Sequence, residues 1–504
     1  MTLLNVTGCG ESTSRQAVPP KSERKAKIQE IERAVPPPQP DDKSKSQLAD
    51  SKPVGTLSDE TPDSAPARKA PVPEPIFRPS DQRVKPDVNL LERNGIRTFE
   101  SKRLRLHTDI EPQIAESLPK FIDAVYDAWV SYFGPLPPDR ERSEYQLTGY
   151  IMKDRELFIR LNVLPDDLPQ FLHGRHRGAE FWLNDQEFDY YRRHLMIHEA
   201  THCFMTAMPN VQAPAWYMEG MAEMFGTHRV EPDGSISFRV MPEEHEAFGG
   251  LGRIEMIRAD VASGRLLSLT EVDRLRPEEF VENSRYGWAW GLCQFLDSHP
   301  RYRDRFRTLG KHTIGREFET KQTELFRDDL ADLSTEWALF AAELQPGFDF
   351  ERAAIEFRDG APLALGVNKR IEVATDRGWQ SSGVLVEKGK TYDFTASGEF
   401  TLADEPVPWT STPDGISIFY SEGRPIGRLL ASIRASISHN DAPADAAQQQ
   451  AESMRETIPV GRHARFAAPV TGTVYFRVND FWRSLADNKK SVTVEVREIA
   501  PTGK

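Results

Sequence analysis

The sequence predicts an α+β protein, in which a part of mixed helices and strands precedes an all-β part, and three observations lead to this prediction. Residues 87–346 combine short alternating segments with longer amphipathic ones, as expected for strands mixed with helices. Residues 347–504 carry short period-two runs separated by Gly, Pro and Asp, the pattern of a β-sandwich. Residues 11–86 are rich in proline and charge and hold one aromatic residue, Phe77, so we expect a disordered tether there.

The first residues resemble a bacterial lipoprotein signal around Cys9. Val6-Thr-Gly-Cys9 is similar to a lipobox, in which the cysteine carries the lipid. The residues before Cys9 are few and include no Lys or Arg, whereas a secretory signal begins with positive charge and continues with an apolar stretch. Two interpretations stay open: residues 1–10 end a longer signal, or the match is accidental. The first implies an extracytoplasmic protein, periplasmic or at the cell surface, held on a bacterial membrane only through Cys9.

The composition argues against one class of partner and one kind of covalent stabilisation. The net charge is −13 and no basic run dominates a folded part, which argues against nucleic acid. Three cysteines are too few for a disulfide framework. Cys203 and Cys293 lie in apolar helical segments, where we expect buried free thiols.

The elements of the first folded part can be placed in order along the chain. Alternation predicts a strand over Arg97–His107, an amphipathic pattern predicts a helix over Ile114–Phe133, and a second strand follows near Tyr145–Met152. Gly178–Leu183 is suited to an edge strand. From Leu251 to Glu343 the pattern is mostly helical.

The pentapeptide His198-Glu-Ala-Thr-His202 predicts a metal site. On a helix, residues four apart lie about 40° apart around the axis, so His198 and His202 present two imidazoles on one face that one metal ion can bridge. Glu199 points elsewhere, which suits a general base that acts beside the metal without coordinating it. A catalytic zinc has three protein ligands and an open fourth position. The third ligand should therefore be a His, Asp or Glu on a following element.

A second predicted helix offers two carboxylates for that role. Pro214 marks its start, and Glu219 and Glu223 share one face because they are four residues apart. One carboxylate can bind zinc while the other accepts a hydrogen bond from the distal nitrogen of a ligand histidine and fixes its tautomer. We assign Glu219 as the ligand and Glu223 as the orienting group, and the reverse assignment stays open.

The two motifs together resemble those of gluzincin metallopeptidases, in particular the peptidase MA-like families, whose pattern is HExxH followed by WxxEGxAE. The second motif is Trp216-Tyr-Met-Glu-Gly-Met-Ala-Glu223, and the resemblance covers Ile96 to about Gln345. It implies a zincin-like catalytic domain over 87–346, with a small mixed sheet and active-site helices, that hydrolyses peptide or protein substrates. In gluzincins a strand such as Gly178–Leu183 lies beside the cleft, where a peptide can pair with it. The resemblance also implies roles for four residues: His198, His202 and Glu219 as zinc ligands and Glu199 as general base.

Two further side chains near the motifs have alternative interpretations. Gluzincins commonly add a Tyr or His that stabilises the oxyanion of the reaction, and Tyr286, at the start of the apolar segment 286–296, is the candidate. The alternative is an ordinary buried tyrosine. His194 lies one turn before His198, but Tyr191-Arg-Arg-His194 reads as a solvated helix start rather than as part of the ligand set.

The C-terminal residues 347–504 are predicted to form an all-β sandwich. Strands are indicated by the period-two runs at 371–374, 384–394 and 491–496. The run Asp441–Glu452 is rich in Ala, Gln and Asp, and we expect a mobile insertion there.

This part resembles the calcium-dependent galactose-binding lectin fold of bacteria through Gly427–Ile433 and Val478–Asn488, and the resemblance covers roughly Ile371 to Val496. It implies a lectin-like domain that holds Ca²⁺ and binds glycan or cell-wall carbohydrate. Carboxylate, hydroxyl and amide oxygens are ligands that calcium prefers. The family's sugar-contacting His and Gln have no counterparts near Thr412–Gly415, and the alternative is an Asp-Asn turn that joins two strands. The implied calcium residues are Asp480, Ser484, Asp487 and Asn488.

These expectations combine into two hypotheses of different classes. The first is a zinc-dependent peptidase, with Glu199 as general base, that a C-terminal lectin-like module targets to its substrate. The alternative is a carbohydrate-binding surface protein whose zincin-like domain is catalytically inactive. The two differ in whether Glu199 is needed for activity.

Overall fold

The computed structural model describes residues 75–81, 83–207, 211–244, 252–312, 317–405, 407–437 and 446–500. The chain divides into two units, residues 1–73 and 74–504, and the described residues belong to the second. Cys9 and the expected tether up to residue 74 lie outside them. The second unit contains helices and several sheets, so the α+β prediction is confirmed.

A five-stranded mixed sheet forms the base of the first part. Its spatial order is β1-β2-β3-β5-β4, with β2, β3 and β5 parallel and both outer pairs antiparallel. Alternate side chains face opposite sides, as the period of a strand requires: Phe181 and Leu183 enter the large core, whereas Trp182 enters a smaller one. The strands are β1 (Arg97–Glu100), β2 (Leu104–Thr108), β3 (Leu147–Met152), β4 (Gly174–Arg177) and β5 (Glu180–Asn184).

Helices cover both faces of this sheet and continue beyond it. The α-helices are α1 (Val88–Arg93), α2 (Pro112–Ala115), α3 (Pro119–Phe133), α4 (Arg155–Arg160), α5 (Asp189–Ala207), α6 (Ala215–Gly226), α7 (Arg253–Ala262), α8 (Leu269–Asp273), α9 (Asn283–Ser298), α10 (Arg303–Leu309), α11 (Glu317–Phe326), α12 (Leu330–Glu343) and α13 (Phe350–Ala353). A short hairpin, β6 (His228–Val230) and β7 (Ile236–Phe238), follows α6. The expected helical character of 251–343 is confirmed for its described residues. Cys203 and Cys293 are buried free cysteines, as expected.

Two strand predictions in this part are wrong in detail. Arg97–His107 is a hairpin rather than one strand, because the chain bends after Glu100 and Asp123 accepts hydrogen bonds from the Ser101 hydroxyl and the Arg103 amide. The strand near Gly178–Leu183 is not at the edge: β5 pairs with β3 on one side and β4 on the other. Gly178, with φ +59°, opens a two-residue turn of the kind that favours hairpins, and this turn creates β4 as the edge strand.

The C-terminal part contains two sheets that share one apolar core. One has the order β14-β15-β18-β10-β8, with β16 also on β15, and the other has the order β17-β11-β19-β9. The strands are β8 (Ala361–Pro362), β9 (Asn368–Ala374), β10 (Gln380–Val386), β11 (Thr391–Ser397), β12 (Phe400–Ala403), β13 (Trp409–Ser411), β14 (Asp414–Ser421), β15 (Arg424–Ala435), β16 (Ile458–Pro459), β17 (His463–Ala467), β18 (Gly472–Val478) and β19 (Ser491–Ile499).

The expected mobile insertion at 441–452 contains a helix, so this part is not all-β. Residues 441–445 lie outside the described residues, and α14 (Ala446–Arg455) follows them. Its Ala451 and Met454 are buried, and the helix packs against α12. The sequence signal misleads because the run is polar overall, while its few apolar residues recur at helical spacing and face one side.

The two parts share cores, so the boundary expected at residue 346 does not separate independent packing units. Trp482 and Leu485 of the C-terminal part are buried in the large core of the first part. Glu343 at the end of α12 accepts hydrogen bonds from Arg477 (2.7 Å) and from the Trp482 indole (2.8 Å). Arg434 also forms an ion pair with Asp332 at 2.5 Å.

The described end of the expected tether also packs on the folded part. Arg78 is buried and forms an ion pair with Asp139 at 3.2 Å. The Arg83 guanidinium donates to the backbone carbonyls of Gln146 and Ala179. The folded part of the chain therefore starts before residue 87, because these arginines bind backbone carbonyls and a buried carboxylate that are distant in sequence.

Candidate zinc centre

Three side chains from two helices converge on one point. On α5, the Nε2 atoms of His198 and His202 lie 3.1 Å apart, and Oε2 of Glu219 on α6 lies 3.1 Å from Nε2 of His202 and 3.5 Å from Nε2 of His198. Ligand atoms held about 2.1 Å from a tetrahedral zinc stand roughly 3.3 Å from one another. The two imidazoles and the carboxylate therefore fit a zinc ion in both donor type and spacing. The Glu219 side chain is 25% exposed, against 7% and 4% for the two histidines, so the site opens on its side.

A close contact between two helices sets the position of Glu219. The helix α6 begins after Pro214, as predicted, and packs against α9. The next residue, Gly220, lies at this contact, where a Cβ atom would stand 2.4 Å from the carbonyl oxygen of Ala289 and 2.5 Å from the sulfur of Cys293. Only glycine permits this approach, which gives the Gly of the Glu-Gly pair a packing role.

The carboxylate of Glu223 is buried behind the converging ligands. One of its oxygens lies 3.2 Å from Nδ1 of His198, and the other lies 2.9 Å from Nε2 of His194. Arg253 on α7 donates to both oxygens at 2.6 Å. The position of Glu223 thus allows it to orient His198, as expected. The open alternative, Glu223 as ligand, uses another set of converging atoms, those of His194, His198 and Glu223.

The interpretation of His194 as a solvated residue is wrong, because this side chain is buried. Its exposure is 5%, and its ring lies where a Cβ atom on Gly226 would come within 2.9 Å. The absence of a side chain at Gly226 provides the space, and Glu223 provides the polar partner. His194 therefore belongs to the buried polar network behind the centre.

The carboxylate of Glu199 faces the edge strand β4. Its Oε2 lies 3.2 Å from Nδ1 of His176, and the His176 ring stacks on the His202 ring with centroids 4.5 Å apart at 21°. The atom Oε1 lies beside Gly174, whose missing side chain leaves space for it. These two β4 residues were not predicted as site residues.

Burial and charge act in opposite directions on the ionisable groups of the centre. Burial alone would lower the pKa of His198, but the carboxylates of Glu219 and Glu223 outweigh it and raise the pKa to about 10. Burial alone would raise the pKa of Glu199, but the hydrogen bond from His176 and the nearby imidazoles hold it below its usual range. Burial alone would also raise the pKa of Glu219, but His202 and His198 lower it. The two carboxylates are therefore ionised at neutral pH.

Tyr286 lies at the start of α9 and borders the centre. Its ring centroid is 6.1 Å from that of His198, and the Arg253 guanidinium lies 5.7 Å from its ring. Burial, reinforced by the carboxylates of Glu219, Glu223 and Glu199, raises its pKa, so the phenol keeps its proton. A half-buried phenol near the converging ligands suits the expected role of a hydrogen-bond donor to the oxyanion.

The candidate calcium residues are only partly brought together. Asp480 and Asn488 are buried, and Asn488 Nδ2 donates to Asp480 Oδ2 at 3.0 Å. Burial, with the nearby Asp487 carboxylate, raises the pKa of Asp480 to about 6. The buried Oδ1 of Asn488 has no hydrogen-bond partner among the described residues. Ser484 is not joined to this pair by any hydrogen bond in the described part of the chain, and Asp487 is exposed.

No family model matches the chain, and no curated protein matches it. Several solved structures are similar over part of its length, among them a lectin domain and a lysozyme inhibitor. The N-terminal domain of EclA, described as a PllA-like lectin, is 22% identical, with 26% of this chain and 94% of that chain covered and a TM-score of 0.18. PliG of Aeromonas hydrophila, a periplasmic inhibitor of g-type lysozyme, is 10% identical, with 29% and 96% covered and a TM-score of 0.15. At these scores nothing known of either protein transfers to this chain. No helix among the described residues has the length and apolar character needed to cross a bilayer.

Proposed function

We propose that the chain is a zinc-dependent peptidase of the gluzincin type with a zincin-like first part. The observation that carries the proposal is the convergence of His198, His202 and Glu219 with Glu199 beside them. The residues that would hold the ion are the two histidines and Glu219. A bound zinc supplies Lewis-acid chemistry, because it polarises a carbonyl and lowers the pKa of water. A purely structural zinc site more often closes its fourth position with Cys or His, which favours the catalytic interpretation.

The roles of the protein groups follow from their charge states and positions. As an ionised carboxylate, Glu199 takes a proton from the attacking water and returns it to the leaving amine nitrogen when the peptide C–N bond breaks. Tyr286 keeps its proton and donates a hydrogen bond to the carbonyl oxygen as negative charge develops there. Through His198, Glu223 holds the tautomer in which Nε2 is free to bind the metal.

A second candidate function is glycan binding by the C-terminal part, as in a surface protein whose first part is inactive. The supporting observations are the buried Asp480–Asn488 pair, in which Oδ1 of Asn488 has no hydrogen-bond partner among the described residues, and an aromatic cluster that includes Phe481, the residue after Asp480. In that cluster the ring centroid of Phe419 lies 5.6 Å from Trp409 and 6.2 Å from Phe481. In the first proposal the same module, with Ca²⁺ at Asp480 and Asn488, instead targets the peptidase to its substrate. An extracytoplasmic location with a lipid on Cys9 belongs to the same proposal.

One comparison tests the proposed peptidase. The full chain and its Glu199→Gln variant are assayed for bound zinc and for cleavage of a quenched random peptide library. We expect one zinc per chain in both proteins, and cleavage only in the wild type, because the amide cannot act as a base. Zinc without cleavage in either protein favours the glycan-binding candidate. No bound zinc contradicts the assignment of His198, His202 and Glu219.

A further inference from the structure

Two residues of the edge strand β4 face α5, the helix that carries Glu199. Successive side chains of a strand point to opposite faces, so Gly174 and His176 share one face, while Arg175 and Arg177 share the other and are exposed. The shared face of Gly174 and His176 lies against Glu199 on α5. Both oxygens of this carboxylate therefore have a neighbour on the same strand.

The position of Gly174 is a gap that the Glu199 carboxylate occupies. A Cβ atom there would stand 2.7 Å from Oε1 of Glu199 and 2.5 Å from a methyl carbon of Leu183. The carboxylate could retreat from an added methyl group only by changing its rotamer. The backbone of β4 thus limits where Glu199 can point.

The second neighbour, His176, is a hydrogen-bond donor of fixed orientation. Its Nδ1 lies 3.2 Å from Oε2 of Glu199, and because an ionised carboxylate only accepts, this nitrogen must carry the hydrogen. Stacking on the His202 ring holds the imidazole plane. His176 does not belong to either group of converging ligand atoms among the described residues, so it is not a fourth ligand.

We propose that His176 is a positioning residue for the general base: it holds Oε2 of Glu199 through Nδ1–H while Gly174 leaves space for Oε1. This inference rests on the proposed function, because it takes Glu199 as the base. It extends that function by assigning part of the catalytic geometry to the edge strand. A conservative His176→Asn variant keeps a donor at the position of Nδ1, whereas His176→Ala removes it.

The test uses the zinc-loaded full chain with two readouts. The first is the affinity for acetohydroxamate, a small chelator that binds zinc and shares a proton with a neighbouring carboxylate. The second is kcat and KM on a peptide from the cleaved library. Zinc affinity, by competition with a chromophoric chelator, is measured for every variant. His173→Ala is the matched control, because this histidine precedes β4 and its ring contacts Tyr191 instead of the centre.

We expect His176→Ala to weaken acetohydroxamate binding about 10-fold and to lower kcat about 10-fold or more at unchanged KM, because the lost bond is a hydrogen bond to a charged group. His176→Asn should recover both values to within about 3-fold, since it restores one donor. Zinc affinity should stay within about 2-fold in each, because His176 is not a ligand. His173→Ala should match the wild type.

Other outcomes separate this inference from the proposed function. If His176→Ala keeps the wild-type acetohydroxamate affinity and kcat, the inference is wrong and the peptidase proposal stands. A zinc affinity reduced about 10-fold or more in His176→Ala also overturns it, because His176 would then act by orienting the metal ligands themselves. If the wild type binds zinc and acetohydroxamate but cleaves no peptide, the peptidase proposal is wrong. The acetohydroxamate affinities of the variants then decide the role of His176 by themselves. A wild type without zinc overturns both.

Discussion

At the scale of single residues, the Glu223 carboxylate connects the candidate centre to its surroundings. It contacts His198 and His194 on α5 and accepts two hydrogen bonds from Arg253 on α7. Burial alone would raise the pKa of Glu223, and the opposing charge of Arg253, with that of His194, holds it well below its usual range. The orientation of His198 therefore depends on a helix that supplies none of the converging ligand atoms.

A Glu223→Gln substitution should weaken zinc binding while leaving the ligand set intact. Loss of a group that orients a ligand typically costs about 10–100-fold in metal affinity, and we expect a value in this range. Competition with a chelator of known affinity measures it. Glu319→Gln on the exposed face of α11 is the control, and equal zinc affinity in the two variants would contradict the role of Glu223.

His107 on β2 should make the protein sensitive to acid. This histidine is fully buried, and its burial lowers its pKa from about 6.5 to about 4. The unfolded chain takes up the proton at the higher pH, so the folded state loses stability as the pH falls from about 6.5 to about 4. The difference corresponds to about 3 kcal/mol of unfolding free energy. Urea unfolding of wild type and His107→Leu across this range checks the sign: an equally steep decline in the variant would exclude His107 as its source.

At the scale of elements, the contact between α6 and α9 determines where Glu219 lies. Gly220→Ala would press a methyl group into backbone atoms of Ala289 and the sulfur of Cys293. Overpacking of this kind costs about 1–3 kcal/mol, and we expect the variant to lose that much stability and some zinc affinity. Urea unfolding and chelator competition measure the two effects.

Gly291→Ala on α9 provides the matched control for that experiment. A Cβ atom there would meet the terminal methyl of Ile257, at 2.8 Å, which is the flexible end of a side chain. The neighbour can shift, so we expect a smaller loss of stability and unchanged zinc affinity. Similar losses in both variants would indicate that crowding of α9 in general, and not the position of α6, sets the effect.

Elements defined by local signals could be predicted from the sequence, and those defined by distant partners could not. The spacing of His198 and His202 is a property of one helix, and Pro214 marks the start of the next, so α5, α6 and the converging ligands follow from short-range geometry. His176 could not be found because its position depends on the turn at Gly178, which pairs β4 with β5 and brings β4 over Glu199. The only available signal was the Gly-x-His alternation before that turn.

At the scale of the whole molecule, the first part and the sandwich form one packing unit within residues 74–504. Arg253 reaches Glu223 because α7 packs on α9, and α12 packs on both. The end of α12 is fixed by Arg477 and Trp482 from the other side of the expected boundary. The sequence indicated the change of pattern near residue 346, but it could not show that the two patterns share a core, because cores form between segments distant in the chain.

A chain that ends at residue 346 should fail to fold as stably as the first part does in the full chain. It lacks Trp482 and Leu485, which fill the core of the first part, and it leaves Leu339 of α12 without its partners in the small cluster shared with the sandwich. Truncation of each large core side chain typically costs a few kcal/mol, so we expect aggregation or a markedly lower melting temperature than the full chain. Calorimetry of the two chains measures it, and an equal melting temperature would contradict the shared core.

The burial of Trp482 and Leu485 in the core of the first part has a consequence for the order of events during synthesis. A ribosome makes the α5 and α6 helices long before it makes these two residues, and an unfinished chain cannot complete the core against which the helices rest. A nascent chain therefore holds the converging side chains of α5 and α6 in a loosely packed region until translation has passed Leu485.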